Sequence, residues 1–392
     1  MVDINKRIEC VDIYRENNNN KNRLLTLDSL RIFMTWVIII SHSRFLEGTV
    51  LWKYHLNANI AVNYFFMLSG FGLYYSNYSA NRAELFPTNG IKFSINKIKK
   101  IYRLYIASLL LCSIHVFFDR MSRMSLFGAI KNTILNLLID IPLVQSLSGI
   151  NSIGHSINPV AWFLSALFIC YMFCPFFYKI IFNIKNLKKI LILIVFNIFL
   201  IMMLTTVLAT IKNNILINKK IIFDKLDYST PYLRVFFVSL GMLLSKLFVN
   251  LQRMLDKKTK NKMLFTIIEV ATVIGAICWS ILRNYFTSNS ISSLLLDVLF
   301  PTVLLLIFAF QNGFISRLLT TKKLVFLGKQ CMYPYLLQYV GIYYISDLVN
   351  KFHLQISPYM QMVMVILFIL LLSVFMEKLF LYLEKTKCVN NK

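Results

Sequence analysis

Acidic residues are scarce in this sequence: Asp and Glu together number 17, against 42 Lys and Arg, and the formal net charge is +25. Such an excess is typical of nucleic-acid-binding proteins when the basic residues share one compact domain. Here the basic residues lie between long apolar segments. We therefore interpret the charge as topogenic, and we expect no nucleic-acid partner.

Other signals are also missing. The seven cysteines show no Cys-x-x-Cys spacing, so the sequence predicts neither a disulfide framework nor a metal site. Residues 1–26 are Asn-rich and lack the apolar core of a signal peptide, which favours a flexible cytosolic tail. No Pro/Gly/Ser-rich linker and no internal repeat is present. Residues 27–384 are therefore predicted to form one membrane domain, followed by a short basic cytosolic tail at 385–392.

Apolar residues are abundant. They make up 57% of the chain, charged residues only 15%, and the mean hydropathy of +0.63 is far above that of soluble domains. Windows of about 20 apolar residues indicate membrane-spanning helices. The sequence therefore predicts an all-α integral membrane protein with about ten transmembrane helices. The predicted spans are 27–46, 58–78, 99–118, 160–182, 190–211, 232–249, 263–282, 293–312, 332–349 and 359–383.

The distribution of Lys and Arg predicts the orientation. Short cytosolic loops are enriched in both residues. Ten spans with both termini in the cytosol place most Lys and Arg in cytosolic segments, and an odd number of spans would spoil this alternation. A shorter apolar patch at 133–147 is interrupted by Asp140 and Pro142. We interpret this patch as an interfacial or re-entrant segment.

Two ionisable residues stand out in the first predicted span, "LDSLRIFMTWVIIISH". Arg31 and His42 are eleven residues apart, which is close to three helical turns, so both side chains point to one face about 16 Å apart along the axis. An arginine suits a phosphate or carboxylate, and an imidazole suits proton transfer. Two plainer interpretations stay open: Arg31 snorkels to the interface beside Asp28, and His42 is an interfacial histidine.

These residues resemble the membrane-bound acyltransferase-3 family, which transfers acyl groups, often acetyl, to sugars and lipids. The family opens with an L-D-x-L-R motif followed, after ten residues, by His. Further similar segments are "NYFFMLSGFGLYYS" at 63–76, "KIKKIYRLY" at 97–105, "NPVAWFLSALFICYMFCPFF" at 158–177, "PYLRVFFVSLGMLLSK" at 231–246 and "FLGKQCMYPYLLQ" at 326–338. Met332 and Gln338 depart from the pattern, which usually has Tyr and often has His at these two places.

The resemblance implies roles for particular residues. No permanently bound cofactor is implied; acetyl-CoA or another acyl-CoA is the donor co-substrate. His42 is implied as general base, and Arg31 as a residue of both the catalytic and the donor site. A covalent acyl-histidine intermediate stays open beside direct transfer. Further donor contacts are implied at Ser69, Gly70, Lys100 and Arg103, and acceptor contacts at Asp28, Trp162 and Arg234. His55, His115, His155 and His353 match no family motif and are interpreted as structural.

The expected acceptor is a hydroxyl of a cell-surface polysaccharide or its lipid-linked precursor. The Lys-, Asn- and Ile-rich composition indicates an AT-rich bacterial genome and hence a bacterial inner membrane. Three alternatives remain at this stage: a transporter or flippase of lipid-linked sugars, a membrane glycosyltransferase, and a regulatory protein that has lost acyltransferase activity. Each would use the ionisable residues of the first span differently.

Overall fold

The computed structural model describes residues 23–54, 57–79, 88–217, 223, 225–255, 261–282 and 291–390. These residues form helices joined by turns, with no β-strand among them. We number the helices in chain order: α1 (Leu25–His42), α2 (Val50–Lys53), α3 (Ala58–Ser79), α4 (Gly90–Met121), α5 (Leu126–Asp140), α6 (Asn151–Gly154), α7 (Trp162–Phe182), α8 (Leu187–Ile217), α9 (Pro231–Met254), α10 (Lys262–Leu282), α11 (Ile291–Ala309), α12 (Phe314–Leu319), α13 (Lys322–Lys329), α14 (Met332–Lys351) and α15 (Pro358–Asn390).

The class predicted from the sequence, an all-helical integral membrane protein, is confirmed. Within the described part of the chain, seven helices are long and apolar enough to cross a membrane: α1, α4, α7, α8, α9, α10 and α15. The predicted spans at 58–78, 293–312 and 332–349 also coincide with helices, namely α3, α11 and α14. The count of ten crossings and the cytosolic location of both termini stay predictions.

Several helix ends differ from the predicted spans. The third span was expected to begin at 99, but α4 begins at Gly90 because the Asn89 side chain accepts a hydrogen bond from the Lys92 backbone N–H at 2.9 Å. The last helix, α15, continues to Asn390, into the predicted basic tail. An apolar window locates the hydrophobic part of a helix and misses its polar extensions. Most of the predicted tail at 1–26 lies outside the described residues.

The apolar patch at 133–147 is interrupted where expected. Helix α5 ends at Asp140, and a 3-10 turn, Gln145–Leu147, follows after Pro142. The Asp140 backbone carbonyl accepts a hydrogen bond from the Tyr105 hydroxyl at 2.5 Å, which ties this end of α5 to α4. Burial raises the pKa of the Asp140 carboxyl to about 8. The patch is therefore a helix end and a turn packed against α4.

The core is built around α3 and α9. In α9, 83% of the most apolar stretch is buried inside the protein, the highest share among the seven apolar helices of the described chain. Two glycines allow the backbones of α3 and α9 to meet. A methyl group added at Gly70 would lie 1.8 Å from the Val238 carbonyl oxygen, and one at Gly241 would lie 1.9 Å from the Met67 carbonyl oxygen. Small residues of this kind permit close helix packing in membranes.

Candidate active site

The first group of site residues surrounds Arg31. The carboxylate of Asp28 is buried and pairs on both sides: Oδ1 lies 3.2 Å from Arg31 Nη1, and Oδ2 lies 2.5 Å from Arg23 Nε. The charge of Arg31 also acts on the hydroxyl groups of Tyr64 and Tyr171. We call Asp28, Arg31, Tyr64 and Tyr171 the Arg31 cluster. The Arg31 side chain is 34% exposed, so it is only partly enclosed by the protein.

Ser69 and Gly70 lie next to this cluster on α3, with different surroundings. The side chain of Ser69 is hydrogen-bonded with Tyr171, and its Oγ also donates to the Phe65 carbonyl oxygen at 2.8 Å. Gly70 faces α9, where it makes the close backbone contact with Val238. Ser69 is therefore near the Arg31 cluster, whereas the surroundings of Gly70 correspond to helix packing.

The basic segment of α4 forms two separate environments. Lys97 Nζ lies 5.4 Å from the centre of the Phe93 ring, and Phe93 in turn lies edge-on to Tyr171 of the Arg31 cluster. Arg103 instead forms an ion pair with Glu384 of α15 at 2.8 Å, and both side chains are exposed. Lys100 is exposed as well. Thus the Arg31 cluster has Lys97 nearby, and the predicted donor contacts Lys100 and Arg103 lie on the outer surface of α4.

His42 ends α1 and contacts α14. Its Nδ1 atom lies 3.0 Å from Oε1 of Gln338, and its ring centre lies 5.3 Å from that of Tyr339. Gln338 is completely buried, and its Nε2 donates a hydrogen bond to the Tyr335 carbonyl oxygen at 2.7 Å. We call His42 and Gln338 the His42 pair.

The second hydrogen bond of Gln338 determines the tautomer of His42. The amide nitrogen must donate to the Tyr335 carbonyl, so the amide oxygen faces His42. An amide oxygen only accepts hydrogen bonds, and Nδ1 of neutral His42 must therefore carry the proton. The lone pair then resides on Nε2. A histidine in this state can remove a proton from a hydroxyl group.

The second group surrounds Arg234, which is 3% exposed. Its Nη1 donates to Asn63 Oδ1 at 2.6 Å, and its Nε donates to the Tyr228 carbonyl oxygen at 2.8 Å. The guanidinium lies 5.0 Å from the ring of Tyr228, 5.2 Å from Phe237 and 5.6 Å from Trp162. We call Asn63, Trp162, Tyr228, Arg234 and Phe237 the Arg234 cluster. In the described chain no carboxylate forms an ion pair with Arg234, so polar groups and aromatic faces stabilise its charge.

Helix α3 joins the two clusters. Asn63 binds Arg234, and the next residue, Tyr64, belongs to the Arg31 cluster. Tyr64 is buried, and its hydroxyl oxygen has no hydrogen-bond partner among the residues that the structure describes. Helix α1 therefore carries Arg31 and His42, and α3 carries a contact to each cluster.

A comparison with known protein families identifies the family of the chain. The profile described as an acyltransferase domain, that of the acyltransferase-3 family, matches residues 24–378, which is nearly the whole chain. The chain belongs to the acyltransferase-3 family. No significant match was found among curated proteins or among solved structures.

As an acyltransferase-3 protein, the chain is a multi-pass membrane acyltransferase. The structure brings the predicted site residues together in part. Asp28, Arg31 and Ser69 lie in or beside the Arg31 cluster, and Trp162 and Arg234 share the second cluster. The roles assigned to these residues, and those of Gly70, Lys100 and Arg103, stay predictions.

Sequence reasoning missed two residues near His42. Gln338 appeared only as a departure from the family pattern, yet it is the hydrogen-bond partner of the proposed base. His155 was interpreted as structural, although it lies within electrostatic range of His42. The frequent His at position 338 in the family was a signal that this position faces the site. The sequence contains no comparable signal for His155. Of the other histidines, His55 lies outside the described residues.

Proposed function

We propose that this acyltransferase moves an acetyl group from cytosolic acetyl-CoA to a hydroxyl of a cell-surface polysaccharide or its lipid-linked precursor. The observation that carries the proposal is the His42 pair, because its hydrogen bonds leave the Nε2 lone pair available as a base. The acetyl group and the glycan acceptor rest on the family resemblance. The family match also favours chemistry over transport of lipid-linked sugars.

The reaction transfers one proton, by way of His42, from the acceptor hydroxyl to the leaving thiolate. His42 Nε2 takes the proton of the acceptor hydroxyl while its oxygen attacks the thioester carbon. The new C–O bond forms, the C–S bond breaks, and the leaving thiolate receives the proton from His42. General-base catalysis of this kind contributes about 10² to 10⁴-fold to the rate.

Arg31 is proposed to hold the phosphates of the donor. It is on the same face of α1 as His42, about 16 Å away along the axis, which is comparable to an extended pantetheine arm. Asp28 pairs with Nη1 of the guanidinium, and about a third of the Arg31 side chain is exposed. A guanidinium has further N–H donors, which suit an anion such as a phosphate. Two further cations lie near the cluster: Arg23, which pairs with Asp28, and Lys97, which is linked through Phe93 and Tyr171. Lys100 and Arg103 would meet the donor only outside the Arg31 cluster, and Arg103 only after it releases Glu384.

The decisive test is transfer of label from radioactive acetyl-CoA to the surface glycan in isolated membranes. We expect His42→Ala to lower the rate by at least about 100-fold at equal, verified insertion. His353→Ala is the matched control, because His353 is exposed and makes no contact with the His42 pair. Wild-type rates in His42→Ala would refute the mechanism. Label absent with wild-type protein would refute the proposed donor or acceptor.

We further propose that the protein resides in a bacterial inner membrane with both termini in the cytosol. This orientation would bring the N-terminal end of α1, which carries Asp28 and Arg31, towards cytosolic acyl-CoA. His42, at the other end of α1, would then face the side from which a glycan acceptor arrives. The enrichment of Lys and Arg in alternate loops supports this orientation.

A further inference from the structure

His155 contains a buried polar atom that lacks a partner. It follows the short helix α6, and its backbone N–H donates to the Asn151 carbonyl oxygen at 3.0 Å. The side-chain Nδ1 is shielded from solvent and has no hydrogen-bond partner among the described residues; the same is true of Oγ of the adjacent Ser156. A buried polar atom without a partner costs about 1–3 kcal/mol, so such atoms are usually satisfied by a water molecule or a ligand.

His155 is near both groups of site residues. Its ring centre lies 6.0 Å from that of Trp162 in the Arg234 cluster, and it is within electrostatic range of His42. A ligand that bonds to His155 would therefore lie close to the Arg234 cluster and on the side of the protein where His42 ends α1.

The loop that carries His155 is attached to the helix that carries Gln338. Asn158 Nδ2 donates to the Leu336 carbonyl oxygen at 3.0 Å and to Ser108 Oγ at 3.1 Å. The Tyr335 hydroxyl donates to the Val160 carbonyl oxygen at 3.2 Å. Both contacts on α14 lie within three residues of Gln338. The distance between His155 and the His42 pair is therefore held by a short path of buried hydrogen bonds.

The charge state of His155 favours a hydrogen-bonding role over proton transfer. Burial, together with the positive charges of Lys225 and His42, lowers the pKa of His155 to about 3. The imidazole is then neutral at every pH at which cells grow. A neutral imidazole offers one donor and one acceptor, which matches a hydroxyl group.

We propose that His155 is an acceptor-positioning residue, whose Nδ1 forms a hydrogen bond with a hydroxyl of the glycan acceptor and holds it beside His42. This inference rests on the proposed function and adds the residue that selects the acceptor. The Trp162 ring lies next to the imidazole and itself contacts Tyr228 and Arg234. His42 remains the base, and His155 takes no part in the bond changes.

The test uses purified full-length protein in liposomes, radioactive acetyl-CoA, and an envelope glycan fraction from the expressing cells as titrated acceptor. His155→Ala is expected to raise the apparent KM for the glycan fraction about tenfold, which corresponds to one lost hydrogen bond. The KM for acetyl-CoA should stay within about twofold, because the donor binds at the other end of α1.

Two isosteric variants separate positioning from a packing role. The amide of Asn occupies the place of Nδ1, and the amide of Gln occupies the place of Nε2. We therefore expect His155→Asn to restore the glycan KM to within about threefold and His155→Gln to leave it raised. These variants also serve if His155→Ala does not fold, and acetyl-CoA binding by calorimetry identifies folded protein.

Three results would overturn the inference. The first is an unchanged glycan KM in His155→Ala. The second is equal rescue by Asn and Gln, or an equal rise in KM for both substrates, which would indicate packing. The third is a failure of wild-type protein to label the glycan fraction although it binds acetyl-CoA. This result would refute the proposed acceptor, and with it the hydroxyl that His155 is proposed to bind.

Discussion

A histidine base is useful only when the correct ring nitrogen is free, and in the proposed mechanism Gln338 provides this for His42. Its amide neither gains nor loses a proton at neutral pH, so it affects His42 only by orienting the imidazole ring. The Tyr335 carbonyl in turn orients the amide. This arrangement has the same logic as the carboxylate that orients the histidine in serine hydrolases, with a neutral group in place of a charged one.

Removal of the amide should therefore impair catalysis more than binding. We expect Gln338→Ala to lower kcat by at least about tenfold while the KM for acetyl-CoA stays within about twofold. Steady-state acetyl transfer in liposomes measures both constants.

Gln361→Ala is the control for the substitution at Gln338. Gln361 also donates a side-chain hydrogen bond, to Ser346 Oγ at 3.1 Å, but it lies on α15, away from the His42 pair. Equal kcat values for Gln338→Ala and wild-type protein would show that His42 needs no orienting partner.

At the residue scale, spacing alone predicted that Arg31 and His42 share a face of α1, because helical geometry fixes which side chains align. The same reasoning cannot reach contacts between distant segments. His42 and Gln338 are 296 positions apart, and Arg234 and Asn63 are 171 apart. Such pairs depend on how α3, α9 and α14 pack, and one sequence contains no record of that packing.

At the scale of single elements, glycine positions in α3 have opposite surroundings, and this makes the packing of α3 against α9 testable. Gly70 meets the backbone of Val238, whereas nothing lies within 4 Å of a methyl group added at Gly72. The two glycines are two residues apart in one helix. The same substitution at either position therefore changes helix propensity equally and lies at nearly the same depth in the membrane.

We expect Gly70→Ala to destabilise the protein by about 3 kcal/mol, because the added methyl group displaces the α9 backbone. Gly72→Ala should be neutral or slightly stabilising, since alanine is the better helix former. Thermal unfolding in detergent, followed by size-exclusion fluorescence, compares the two variants. Equal melting temperatures would contradict the close contact of α3 and α9.

Helix existence was predictable from apolar windows, and helix ends were not. The window method found the positions of α3 and α14 although both carry several polar residues, because the remaining side chains are apolar enough. The predicted start of α4 was nine residues late, because the first turns of this helix are basic and its start is set by the hydrogen bond to Asn89. Local hydrogen bonds decide such ends, and hydropathy does not report them.

At the scale of the whole molecule, the proposed orientation places the two ends of α1 on opposite sides of the membrane. Glu47 follows α1, and Lys322 begins α13; both are exposed. The topology predicted from Lys and Arg puts Glu47 outside the cell and Lys322 in the cytosol.

We expect a membrane-impermeant maleimide to label Glu47→Cys in intact cells and to label Lys322→Cys only after permeabilisation. The unmodified protein measures the background of the native cysteines, of which Cys278 is exposed. The reverse pattern would invert the membrane orientation and separate Arg31 from cytosolic acyl-CoA. Labelling of both positions in intact cells would contradict a crossing by an odd number of spans between them.

The close contact between α3 and α9 also bears on motion during turnover. Two helices whose backbones touch at Gly70 and Gly241 cannot slide past each other without a clash, so they act as one rigid body. Asn63 and Arg234 belong to that body, whereas His42 and Gln338 belong to α1 and α14. We therefore expect any change in the distance between His42 and the Arg234 cluster to come from displacement of α1 and α14 relative to α3 and α9.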